Sequence, residues 1–177
     1  MLKYVAASAV MLLVLSSSGP RNVLASPAKT EPPAMSVAPA KEEAERVLNM
    51  LVPAATHLLE KNGEMFPIAA ALRADGQIAA VAVPLSDEHP SSLRVIDALN
   101  EALRDGARKK QYKATGIAVD MRVVPPGESE KTDALAVRLE HVSGYSVVVV
   151  FPYRLQNRKA TFGKAYSLKG TNDVFAR

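Results

Sequence analysis

Residues 115–124 read TGIAVDMRVV and residues 134–142 read ALAVRLEHV. Both alternate apolar and polar residues with a period of two, the pattern of a strand with one buried and one solvated face. The first places Ile117, Val119, Met121 and Val123 inward, with Asp120 and Arg122 outward. The second places Leu135, Val137 and Leu139 inward, with Arg138 and Glu140 outward. Pro125-Pro126-Gly127 breaks the chain between them, because proline removes a ladder donor and glycine permits a reversal. After the second run, Val142-Ser143-Gly144 fits a three-residue hairpin loop with Gly144 in the left-handed position, which sets His141 opposite Tyr145 on the inner face. The strand that follows, Tyr145 to Tyr153, carries four consecutive valines from Val147 to Val150 and is apolar on both faces, as a central strand is.

Upstream, Phe66 to Arg73 and Gln77 to Val83 are apolar runs joined by Ala74-Asp75-Gly76, a tight-turn sequence, so they form a second hairpin. Lys41 to Lys61 carries a helical stripe of Val47, Leu51, Ala55 and Leu58 and ends at Asn62-Gly63, with Pro53 expected to kink or split it. A second helix starts at Ser91 or Ser92 and runs to about Lys110 on Leu93, Ile96, Leu99 and Leu103, with Gly106 fraying its last turns. The order αββαβββ predicts the α+β class: a two-layer α/β sandwich of two helices and a five-stranded, mostly antiparallel sheet over residues 41–154. Residues 155–177 form a C-terminal extension with a short extended segment near Ala160 to Leu168. The element order resembles the roadblock and profilin-like folds, a resemblance that implies sheet order 2-1-5-4-3.

At the other end, Met1 to Ala25 has a basic residue at Lys3, an apolar stretch from Tyr4 to Leu15 and small residues before a cleavage point at Ala25. This is the pattern of a secretory signal, too short for a membrane span. Periplasmic or secreted localisation follows, with membrane contact only during export. Residues 26–40, holding Pro27, Pro32, Pro33 and Pro39, form a disordered linker. The 177 residues carry 22 Lys plus Arg against 18 Asp plus Glu; without Lys3 and Arg21 the balance is 20 to 18. So small an excess speaks against nucleic acid as partner. The absence of cysteine removes disulfides, thiol catalysis and cysteine-ligated metals.

No nucleotide-binding glycine motif occurs, and Gly144-Tyr145-Ser146 lacks the second glycine of a nucleophile elbow, so no cofactor and no serine hydrolase are expected. Asp87-Glu88-His89 is the densest group of metal-type donors, yet adjacent residues seldom converge on one ion, so a solvated turn is the expectation. His57 and Glu60 share a helix face without completing a shell. Glu140 and His141 leave opposite faces of one strand, which rules out a dyad; His141 and Tyr145 could border a pocket. Asp120 and Arg138 are expected to pair across the solvated face, where with Arg122 they would mark a partner surface.

Gly63-Glu64-Met65-Phe66-Pro67, at a helix-to-strand junction, resembles the Gly-Glu-aromatic-aromatic-Pro signature of a family of small bacterial proteins without assigned activity. Glu88-His89-Pro90 and Phe151-Pro152-Tyr153 extend the resemblance, and Met65 stands where an aromatic is usual. Glu64 then reads as a structural corner and Phe66 as a packing residue, and both, with Tyr153, are candidate binding residues. The leading expectation is an exported, non-enzymatic protein-binding module of the inhibitor or immunity type, whose partner is another protein. The competing one is a small hydrolase or ligand-binding protein in which Glu64, His89, His141 and Tyr145 converge on a pocket.

Overall fold

The computed structural model describes residues 37–84 and 90–176. The proposed signal and most of the linker, together with Asp87, Glu88 and His89, lie outside the described residues.

Helix α1 spans Val37–Asn62 and buries Ala40, Ala44, Val47, Leu51, Ala55 and Leu59, a stripe at three- and four-residue spacing. It begins four residues before Lys41 and continues through Pro53 as one element. Pro53 lies on the solvent side, while buried residues before and after it hold both halves against the same sheet. Strands β1, Ile68–Arg73, and β2, Ile78–Val81, form the expected hairpin. Helix α2, Ser92–Arg108, is capped by Ser91, whose hydroxyl accepts from the Arg94 N–H. Its buried side is Val95, Leu99, Leu103 and Gly106 rather than a stripe led by Leu93, which is 73% exposed.

Strands β3 (Tyr112–Val123), β4 (Thr132–His141) and β5 (Ser146–Gln156) form an antiparallel meander. Its second turn is the expected loop, with Gly144 at φ +92° and its N–H donating to His141 O at 2.9 Å. The remaining chain supplies β6, Lys159–Phe162, and β7, Tyr166–Lys169, both paired with β5.

The α+β class, two helices and an antiparallel sheet are thus observed, and three particulars differ. The sheet has seven strands, because residues 159–169, beyond the expected five, pair along the second edge of β5. That occupied edge leaves β1 to pair with β3, so the order is β2-β1-β3-β4-β5-β6 in place of the 2-1-5-4-3 that the roadblock-like resemblance implies. Finally, the two helices cover opposite faces. Side chains alternate along a strand, and Ala70 and Leu72 pack with α1 while Ala69 and Ala71 pack with α2. Three layers replace two wherever both helices lie over the sheet.

This layering decides where the charged residues of β3 and β4 go. Even-numbered β3 residues and odd-numbered β4 residues face α1; their neighbours face α2. At Gly116 α1 lies close to β3: a Cβ there would stand 2.7 Å from Leu51 Cδ1 and 2.9 Å from Val47 Cγ1. On the other face, residues 170–176 cross the sheet beside α2. Val174, 5% exposed, joins the α2 core, and its N–H donates to Glu140 Oε2 at 2.7 Å.

Candidate functional site

The expected solvated face with an Asp120–Arg138 pair is not present, because the two side chains stand on opposite sides of the sheet. Arg138 is held on the α2 face. Its guanidinium donates to Asn100 Oδ1, lies 3.1 Å from Glu140 Oε1 and 3.8 Å from Asp173 Oδ2, and is largely buried. Glu140, expected outward, is 1% exposed beneath the C-terminal segment. Burial pushes its carboxyl above the usual range and the Asp173 charge adds to this, against the opposing pull of the Val174 N–H and the Arg138 and Arg104 charges. These groups bind the tail to the sheet and offer no open surface.

Asp120 faces α1 and accepts a hydrogen bond from the Tyr153 hydroxyl at 2.8 Å. Partial burial raises its carboxyl, and the Asp133 and Glu64 charges raise it further, while the Tyr153 hydrogen bond works the other way. Burial and the same carboxylate raise Tyr153. Only Arg122 meets solvent as expected, with Asp133 3.4 Å away and both side chains exposed. Met121, expected inward, is 44% exposed beyond the reach of α2.

His141 is fully buried on the α1 face, and its partners are two residues that the sequence did not single out. Its Nε2 lies 2.8 Å from Glu43 Oε2, and its Nδ1 lies 2.8 Å from Ser143 Oγ while accepting the Ser143 N–H at 3.0 Å. Ser143 was legible in principle, being two residues along a tight turn. Glu43 was not, since 98 residues separate it from His141. Tyr145 is half-buried against the α1 core, and its carbonyl accepts from the His141 N–H. Glu43 belongs to the second turn of α1 and Glu64 follows its last, so about 28 Å of helix lies between His141 and Glu64. The four-residue pocket of the competing reading does not assemble from its described members. His57 is exposed, and among the described residues no group of three His, Asp or Glu side chains is set to hold a metal ion.

An open, apolar region of the described residues lies at the Glu64–Pro67 junction and the adjoining sheet edge. Phe66 is 56% exposed between two cavities. One, about 390 Å³, is lined by Leu58, Asn62, Glu64, Met65, Phe66 and Ser92 among others. The second, about 420 Å³, runs between the start of β1, the end of β2 and α2, with Pro67, Val81, Val83, Pro90 and Leu99 in its wall. Beside it, β2 is the last strand of the sheet, and among the described residues nothing pairs with its outer edge.

The Arg73 N–H donates to Gln77 O at 2.8 Å, and backbone direction alternates along an antiparallel pair. With Leu72 opposite Ile78 and Ala70 opposite Ala80, the N–H and C=O groups of Ile78 and Ala80 point away from β1. Residues 78–83 read IAAVAV, without a charge, a proline or a glycine. Edge strands are normally blunted by charge, proline or a bulge; this one is not. The uncharged run was visible in the sequence, but its place at an edge came only from the pairing of β1 with β3.

No family model, curated protein or solved structure matches this chain.

Proposed function

We propose that the chain is an exported, non-enzymatic module that binds another protein by receiving an extended segment of it along β2, in the manner of an inhibitor or immunity-type protein. The observation that carries this reading is the unpaired β2 edge lying beside an apolar groove. Main-chain bonds to Ile78 and Ala80 would supply affinity, while alternate side chains of the incoming strand would enter the groove by Phe66, Pro67 and Val83 and select apolar residues. Export is supported by the Met1 to Ala25 pattern, and no described helix is long and apolar enough to cross a membrane. The near-balanced charge supports a protein partner over nucleic acid.

Ala80→Pro tests the reading, because it removes an outward N–H without touching a bond to β1. The variant should fold with a melting temperature near the parent's, yet lose a partner that the parent captures from the exported fraction. Phe66→Asp should weaken the same partner through the groove, and Arg122→Glu should leave it bound. A partner retained equally by the parent, Ala80→Pro and Phe66→Asp would refute docking on β2.

A further inference from the structure

A second group of side chains, at the far end of α1 from the β2 groove, has no part in strand addition. The loop residues Val142, Ser143 and Gly144 are exposed, while His141 directly behind them is wholly buried. Ser143 Oγ, the imidazole and the Glu43 carboxylate form a continuous line, with 2.8 Å at each junction. Those are the distances of a nucleophile, its base and the group that orients the base. The Ser143 N–H donates to Nδ1, so Nδ1 carries the lone pair and the ring proton sits on Nε2, donating to Glu43. Lys113 Nζ, 3.5 Å from the other Glu43 oxygen, holds that carboxylate in place. A buried imidazole whose Nδ1 lone pair is shared between the Ser143 N–H and the exposed Ser143 hydroxyl can take the hydroxyl proton.

We propose that Ser143 is an acyl-acceptor site, activated by His141 and positioned by Glu43, that reacts with small activated esters or thioesters. Ser143 Oγ attacks the acyl carbon as its proton passes to His141 Nδ1. The bond to the alcohol or thiol then breaks, and that leaving group takes the proton from Nδ1. The products are Ser143 O-acyl ester and free alcohol or thiol, with Nδ1 free of the transferred proton again.

The donor class follows from what surrounds the loop. The N–H of Ser143 is committed to Nδ1 and that of Gly144 to His141 O, so neither stands free to stabilise an oxyanion. The acyl group must therefore bring its own good leaving group. The exposed loop imposes no walls, so a small donor suffices, and one stoichiometric acylation is expected rather than turnover.

The experiment treats the folded chain with p-nitrophenyl acetate, and separately with a fluorophosphonate probe, and maps the modified residue. Native protein should acquire a hydroxylamine-labile acetyl group at Ser143 about a hundredfold faster than the urea-unfolded chain, the span of general-base assistance. Ser143→Ala, which leaves the buried pair in place, should lose it. Glu43→Gln, assayed well below its melting temperature, should slow it about tenfold, and Glu43→Asp should recover part of the rate. Ala80→Pro should react like the parent, so that failure of this proposal and failure of the strand-addition reading are separately visible. Native Ser143 reacting no faster than in the unfolded chain, or modification falling on lysine or tyrosine with Ser143→Ala unaffected, would overturn the proposal.

Discussion

At the scale of single residues, two carboxylates with opposite shifts make opposite predictions about acid. Partial burial alone would raise Glu43, but the His141 hydrogen bond and the charges of Lys113 and His141 outweigh it and bring its carboxyl below the ordinary 4.5. A depressed folded value stabilises the fold above 4.5, and that contribution is lost as pH falls through the folded value. Melting temperature should therefore fall more steeply in the parent than in Glu43→Gln on acidification below 4.5; parallel curves would show that Glu43 is not linked to folding. Asp120 is raised above its ordinary 3.8, chiefly by burial, so its contribution is full below 3.8 and lost as pH rises through the folded value. Asp120→Asn, whose amide oxygen can still accept from Tyr153, should match or exceed the parent's melting temperature at neutral pH, with the difference shrinking in acid. Had Asp120 been the solvated strand residue that the alternation of 115–124 suggests, no such crossover would occur.

At the scale of elements, the contrast is between two arginines that both looked solvated. Arg122→Glu removes an exposed ion pair and should change stability by no more than about 0.5 kcal/mol. Arg138→Glu would place a third carboxylate beside Glu140 and Asp173 under the C-terminal segment, and should cost about 3 kcal/mol or more, measured by urea unfolding. Equal losses would mean that the tail does not cover β4. Two glycines mark close approaches between elements. Gly116→Ala must push Leu51 and Val47 outward and lift α1 from β3, an overpacking cost of about 1–3 kcal/mol. Gly106, read from sequence as a weakness in α2, is where the Tyr112 ring lies against the helix, with its nearest ring carbon 2.1 Å from where a Cβ would be. Val149, in the valine run expected to be buried on both faces, is only half-buried, whereas Val137 on β4 is fully buried. Asp at Val137 should therefore disrupt the fold more than Asp at Val149.

For the molecule as a whole, residues 159–176 act as part of the sheet and its cover. β6 and β7 occupy the outer edge of β5, and the tail then donates the Val174 N–H to Glu140 Oε2 and adds Val174 to the α2 core. Ending the chain after Lys169 should leave Glu140 without its backbone donor and expose the α2 core, lowering the melting temperature markedly. A truncated protein that melts like the parent would make residues 170–177 an appendage. The chain's own end thus forms the second edge of the sheet, where β6 and β7 carry Lys159 and Lys169, whereas β2 at the first edge carries no charge.

The periodicity of residues 41–153 by itself determined the α+β class, both helices and the two hairpins, because each of these follows from local spacing of apolar residues and from turn chemistry. Gly144 and Asp75-Gly76 fixed their reversals without any tertiary information. Which face each helix covers was decided only in three dimensions. Ala69 to Leu72 is apolar at every position, so β1 can receive a helix on either side and its sequence does not choose. The candidate sites follow from that choice. Asp120 and Arg138 were separated by the sheet, Glu43 was brought to His141 by α1 crossing β4, and the uncharged run 78–83 became an open edge because β3, rather than a later strand, took the inner side of β1. Local pattern encodes burial, but the pairing of distant segments decides what each buried or exposed group meets.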